Sequence, residues 1–318
     1  MLQIFRVAGI PVRVDASWLI VFGLISWSLA AGYFPHVLPD ATPAAAWAHG
    51  VAAALLLFVS VFLHELSHAL VAIEHGVPVR GIRLHVFGGV SELEAEPPTP
   101  RAELLIAAVG PLTSFVIAAL CYGLGRALDG PSWVSALTGY LAAVNFLVGV
   151  FNLAPGFPLD GGRLLRALLW WGSGHQGWAT LWASRAGSAF AFVMIGLGVA
   201  RALNGELIGG LWFAMIGLFL HQAARASGQL VAIRERLEPL RVADIMSPRD
   251  GSIAEPPPAA DCVAPESSAW QAFLKLGRGE HGPVPVVADN RLVGVVTRRD
   301  LDEALTVRPA ADVEHRAA

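Results

Sequence analysis

Long apolar runs fill most of the first 224 residues and then stop. A membrane-crossing helix needs about 20 mostly apolar residues, and six stretches qualify, roughly 17–34, 50–74, 103–126, 133–155, 178–202 and 207–224. Two segments between them break the helical pattern. In 81–94, GIRLHVFGGVSELE, apolar and polar or small residues roughly alternate, which predicts a strand or hairpin at the membrane face. In 152–162, NLAPGFPLDGG, two prolines and three glycines end a span where regular helix cannot continue. Irregular backbone at membrane depth is tolerated only where it is buried in protein or lines a wet cavity. That loop is therefore a site candidate on the pattern alone. From about Arg225 onward Pro, Arg, Asp and Glu become frequent, which predicts a second, water-exposed domain.

Composition agrees with the pattern. The chain is 55% hydrophobic and 15% charged with a mean hydropathy of +0.56, too apolar for a soluble domain of its length. The net charge of −3, with no block of Lys or Arg, leaves no phosphate-contacting surface, so nucleic acid is excluded as a partner. Arg6, Arg13, Arg80, Arg83, Arg101, Arg163, Arg166, Arg225, Arg234 and Arg236 all fall on one side if six spans alternate. The positive-inside rule then puts both termini in the cytoplasm of a cell whose cytoplasmic membrane holds the chain. The N-terminus has no short apolar core with a small-residue cleavage site, so the first span is expected to serve as its own insertion signal. Cys121 lies in an apolar run and Cys262 in the polar tail, and no disulfide is expected.

HELSH at 64–68 sits between VAAALLLFVSVFL and ALVAI, hence inside a membrane helix. Residues four apart share a helical face, so His64 and His68 can present two imidazoles to one metal, and Glu65 projects to the side from which it can take a proton from water at that metal. Two histidines in a soluble helix could be packing residues. Three ionisable groups within five residues of a bilayer helix each cost on the order of a few kcal/mol unless paired or metal-bound, so a zinc site is expected. Catalytic zinc takes three protein ligands. Glu74 stands six residues after His68, where a metzincin would have its third histidine, and His75 lies about two turns along the same helix. Asp160, in the broken segment, is the leading third ligand; capping the helix that begins at Gly161 or Gly162 is its other role.

HELSH in the second span with NLAPGFPLDGG at the end of the fourth resembles the site-2 protease family of intramembrane zinc metalloproteases. The resemblance covers roughly residues 1–224 and implies zinc at His64, His68 and Asp160, Glu65 as general base, and Asn152 positioning substrate or stabilising the oxyanion. Pro158, Gly161 and Gly162 match the rest of the motif, with Pro158 on the substrate side. The short N-terminal segment and the tail are most similar to the bacterial and archaeal branch that carries a cytoplasmic nucleotide-sensing module and no PDZ domain. A transmembrane substrate must unwind before cleavage, because its peptide groups are held in internal hydrogen bonds. If 81–94 is an edge strand, Gly88 and Gly89 would let the unwound segment approach and add as a further strand.

Residues 242–306 begin VADIM and contain ESSAWQAFLKLGRGEHGPVPVVADNRLVGVVTRRDL, in helix, strand, turn, strand, helix order with the turn at Asp289-Asn290. This resembles one copy of a cystathionine β-synthase domain. The resemblance implies that Thr297 and Asp300 can contact an adenine nucleotide; because the family pairs two repeats to make a site and this chain has one, either two copies of the chain associate through this domain or the domain is purely structural. The Pro-rich 255–260 is expected to be a semi-rigid loop, and 307–318 a disordered tail.

The expected architecture is thus an α-helical polytopic membrane protein of about six transmembrane helices with a membrane-associated β-hairpin, plus a small α/β cytoplasmic domain. Its parts are a metalloprotease domain at 1–224, a linker at 225–241 and the cytoplasmic module at 242–306. The expected function is zinc-dependent hydrolysis of peptide bonds in or near the transmembrane segments of single-span proteins. A metal or ion transporter gated by the cytoplasmic module is the alternative, since intramembrane His, Glu and Asp can also line an ion path. Glu65 discriminates, because a transport path needs ligands and has no use for a general base.

Overall fold

The structure, a computed structural model, describes residues 2–85, 88–128, 132–248, 262–278, 282–289 and 291–307. It divides into two compact units, Met1–Ser227 and Gly228–Ala318.

The first unit opens with β1 (Leu2–Val7), β2 (Ile10–Val14) and α1 (Ser17–Ser28), which passes through a π-helical turn, Leu29–Tyr33, into α2 (Phe34–Val37). Then come α3 (Pro43–Glu74), β3 (Val79–His85), β4 (Gly88–Leu93), α4 (Pro100–Ala127) and α5 (Ser132–Asn152). The series ends with α6 (Asp160–Ser173), α7 (Gln176–Leu203) and α8 (Leu207–Leu237), whose residues from Gly228 onward belong to the second unit. Six segments are long and apolar enough to cross a membrane: Ser17–Val37, Pro43–Glu74, Pro100–Ala127, Trp133–Asn152, Gln176–Leu203 and Leu207–Leu237. Only 17–39% of each apolar window is buried inside the protein. The remaining apolar surface faces outward, which a bilayer accommodates and water does not. The chain is a multi-pass membrane protein.

The two helices that frame the site start alike. Thr42 caps α3 by accepting from the Ala45 N–H at 3.3 Å, and Thr99 caps α4 by accepting from the Ala102 N–H at 3.1 Å. Each threonine is followed by a proline at the first helical position, where a missing N–H costs nothing and a fixed φ favours the helix. Gly76, at φ +75°, ends the turn after α3.

The expected hairpin is half of a larger sheet. Four strands lie in the order β1-β2-β3-β4; β1 and β2 pair antiparallel, β2 and β3 parallel with Val12 opposite Ile82, and β3 and β4 antiparallel with Leu84 opposite Gly89. Residues 2–14, for which the sequence predicts no strand, supply the other half. Their turn, Ala8 at φ 50° and Gly9 at φ +81°, is a two-residue hairpin connection with both residues left-handed. The parallel partner arrives only after α1 and α3, a distance no local pattern spans. The tip of the second hairpin, residues 86–87, lies outside the described residues.

In the second unit α9 (Val242–Ile245), β5 (Ser247–Pro248), α10 (Ala269–Arg278), β6 (Val284–Ala288), β7 (Arg291–Val296) and α11 (Arg298–Val307) surround a sheet of order β5-β7-β6. Its core is Leu237, Val242, Trp270, Val286, Val296 and Leu301. The helix, strand, strand, helix order is the one expected. Residues 225–237, expected as linker, continue α8, and the Pro-rich 255–260, Asn290 and the tail from 308 lie outside the described residues. No disulfide joins Cys121 and Cys262.

Candidate metal centre

His64 and His68 lie one turn apart on α3 and are buried, at 5% and 3% exposure. Asp160 is the first residue of α6; Leu159 occupies the capping position, so the carboxylate is not spent on capping and reaches across to α3. Its Oδ2 is 3.1 Å from His64 Nε2 and 3.2 Å from His68 Nε2, and the two Nε2 atoms are 3.2 Å apart. The three atoms form a nearly equilateral triangle. A tetrahedral zinc with bonds of about 2.0–2.1 Å separates neighbouring ligand atoms by about 3.3–3.4 Å, so the triangle is the right size for one face of such a site.

The protons support the same reading. His68 Nδ1 donates to the Ile106 carbonyl at 2.5 Å; a carbonyl can only accept, so the Nδ1 of a neutral His68 carries the proton and its Nε2 presents a lone pair. His64 Nδ1 lies 2.9 Å from the Ser114 hydroxyl. Two imidazole nitrogens and a carboxylate oxygen thus converge with too few protons to satisfy one another, an arrangement that a cation stabilises. Among the described residues this is the one His/Cys/Asp/Glu group able to hold a metal.

α4 supplies the supports. Ile106, Gly110 and Ser114, spaced four apart, share one face of that helix, and all are buried. A Cβ at Gly110 would collide with His68 Nε2 and lie 2.7 Å from His64 Nε2. Only glycine lets α4 pass this close to both rings.

Glu65 is half-buried beside the sheet. The Ser91 hydroxyl on β4 is 2.9 Å from Glu65 Oε2 and 2.8 Å from its carbonyl, so it can donate to either. A Cβ at Gly89 would come within 2.5 Å of Glu65 Cγ, so glycine is required there by the glutamate whatever else passes the strand. A hydrogen bond to a charged group is worth about 1.5–3 kcal/mol, so Ser91→Ala is expected to slow any reaction that the Glu65 carboxylate serves about 10- to 100-fold. Zinc measured in the same purified sample should be unchanged. Parallel loss of zinc would place Ser91 in the fold of the site instead.

The other expected site residues are distributed as follows. Gly88 starts β4 at φ +112° and accepts from His85 Nδ1 at 3.0 Å. β4 is an outer strand of the sheet. Pro158 is exposed and follows a cis peptide bond from Phe157. Asn152 is half-buried and donates one amide hydrogen to Val148 on its own helix at 3.1 Å. In the second unit Thr297 lines a cavity of about 860 Å³ together with Ile233, Phe273 and Leu301. Asp300 accepts from the Thr297 N–H and hydroxyl, both at 2.7 Å, and from the Ser247 hydroxyl at 2.9 Å. Partial burial would raise its pKa, but these bonds outweigh burial and hold the carboxyl below its ordinary value.

Ser91, Ile106, Gly110 and Ser114 were missed from the sequence, as was a buried ion pair between Glu103 of α4 and Arg166 of α6. Glu103 had a signal: a carboxylate in a membrane span is a functional hypothesis in itself.

A family model described as Peptidase family M50 matches residues 52–138 and 130–194, and one for the CBS domain matches 242–307. Rip3 of Mycobacterium tuberculosis, which carries the name of a zinc metalloprotease, is 38% identical over 95% of this chain and 76% of its own length. A similarly named relative from Synechocystis is 35% identical over 94% and 76%, and a zinc metalloprotease of Methanocaldococcus jannaschii is 29% identical over 93% and 77%. The solved site-2 protease from Methanocaldococcus jannaschii matches with a TM-score of 0.49 at 29% identity, covering 71% of this chain and 94% of that one.

Proposed function

For a chain that belongs to peptidase family M50, the site-2 proteases, we infer that His64, His68 and Asp160 hold the catalytic zinc and that Glu65 is the general base. The protein is a zinc-dependent intramembrane endopeptidase acting on membrane proteins. The relatives lend no support to a transporter.

The observation that carries the residue assignment is the triangle of two imidazole nitrogens and one carboxylate oxygen on apolar helices. Zinc held there would supply Lewis acidity toward water and the scissile carbonyl. Glu65 takes the proton of the attacking water and delivers it to the leaving amine, with Ser91 fixing the carboxylate. Asn152 keeps a second amide hydrogen beyond the one given to Val148, and with it orients the substrate or meets the developing oxyanion. The unwound segment of a single-span substrate adds along β4, entering past Gly88 and Gly89 with Pro158 on its path. A cysteine replacing the exposed Val90 of β4 should crosslink to that segment; crosslinks confined to β1 would move the substrate to the other edge.

Zinc analysis of the purified chain tests the centre. Wild type should hold about one zinc, and His68→Ala should lose it while remaining folded. Full zinc in His68→Ala would remove that residue from the centre.

The orientation is with both termini in the cytoplasm, in the cytoplasmic membrane. The module at 242–306 binds an adenine nucleotide at Thr297 when two chains pair through it; the engaged carboxylate of Asp300 supports the shape of the Thr297 loop more than a direct contact. Thr297→Val should weaken AMP or ATP binding to the full chain about tenfold, roughly 1.4 kcal/mol. Equal titrations of the two proteins would take Thr297 out of the site.

A further inference from the structure

Among the described residues Glu103 is the one charged side chain with 0% exposure, and it lies on α4 one turn before Ile106, whose carbonyl holds His68. Arg166 of α6, 8% exposed, donates from Nε to Glu103 Oε1 at 2.6 Å and from Nη2 to the same oxygen. Its guanidinium also stacks 5.3 Å above the ring of Phe157, in the irregular segment just before Asp160. Arg166 therefore grips both α4 and the chain leading into α6.

The centre draws its parts from three helices: α3 brings the imidazoles, α4 fixes the rings through Ile106 and Ser114, and α6 brings the carboxylate. Asp160 stands at the free end of α6 with no side-chain cap to hold it. Its place relative to the rings depends on how α6 is seated on α4. We propose that the Glu103–Arg166 pair is the positioning device for the third ligand, setting the seat of α6 on α4 so that Asp160 closes the triangle with His64 and His68. The inference rests on the zinc reading of that triangle.

Stability alone is a poor reason for this pair. Burying two charges is costly, and packed apolar residues of similar size usually stabilise a core as well or better. An apolar contact lets helices slide or rotate, whereas a guanidinium with two N–H groups on one carboxylate oxygen fixes both. Neither residue belongs to the triangle, so both act through Asp160.

The test is the double variant Glu103→Leu/Arg166→Met, which removes both charges together and leaves neither one stranded. In the detergent-purified full chain it should stay folded by size-exclusion profile. Its zinc affinity, read by competition with a chelator, should fall about 10- to 100-fold, the usual effect of losing a support behind a metal ligand. With zinc in excess, kcat on a single-span substrate should fall while KM stays near the wild-type value. A folded double variant with wild-type zinc affinity and kcat overturns the proposal and leaves the zinc centre standing. Absence of zinc from the wild type itself would instead remove the reading beneath it. Should the double variant aggregate, Glu103→Gln decides by the same chelator competition: weakened zinc in a folded chain supports positioning, and undiminished zinc overturns it.

Discussion

Glu65→Gln is expected to lower cleavage of a transmembrane substrate by about 10²–10⁴-fold, the contribution of a positioned general base, while zinc content stays at the wild-type level. The amide keeps the shape of the carboxylate and an oxygen for Ser91 to donate to, so β4 stays against α3. It cannot accept the proton of the attacking water. Glu65 is absent from the triangle of ligand atoms, which is why metal and activity should separate here. Joint loss of zinc and cleavage would make Glu65 a ligand and require another base.

Gly110→Ala should have the opposite signature, with zinc and activity lost together. The added methyl would collide with His68 Nε2 and lie 2.5 Å from its Cε1 and 2.7 Å from His64 Nε2. One of the rings must leave or α4 must back away, and α4 is tied to His68 through Ile106 and to His64 through Ser114. Overpacking of this kind costs about 1–3 kcal/mol in an ordinary core, so the helices are expected to assemble with the centre broken. The expected result is a folded, multi-pass protein whose zinc affinity is lowered about 5- to 150-fold, the change that a penalty of that size implies. Normal zinc in Gly110→Ala would mean that α4 is free to move, and the account of it as the frame of the centre would fail.

Much of this centre was legible in the chain. His64 and His68 announce themselves because charged and polar side chains stand out in an apolar helix, and their spacing of four sets them on one face. Asp160 was legible as an acidic residue beside a helix start, with capping as the competing role. What bears on the choice between the roles is which residue takes the capping position, and that is Leu159, a matter of backbone geometry. Ser91 and Ser114 were not legible. A serine in a strand or a span is ordinary, and these two matter because the fold brings them against Glu65 and His64, which lie 26 and 50 residues away along the chain. Gly110 gave only the signal of a glycine before a proline in a helix. Its meaning depends on the distance between two helices, which no periodicity encodes.

The same contrast holds for the sheet. The alternation in 81–94 marked β3 and β4, because an exposed hairpin is a local structure with a local pattern. Residues 2–14 alternate as well, but their partner β3 follows only after α1, α2 and α3 and runs parallel, so only the assembled fold reveals the four-stranded sheet.

The central claim is that this site cuts peptide bonds inside the membrane, and the most direct measurement is a peptide-level comparison of membrane proteomes from cells carrying the wild type and Glu65→Gln. New chain ends inside transmembrane segments, present with the wild type and absent with the variant, are the predicted result, with the uncut single-span proteins accumulating in the variant. Matching proteomes, or new ends confined to water-soluble domains, would contradict it.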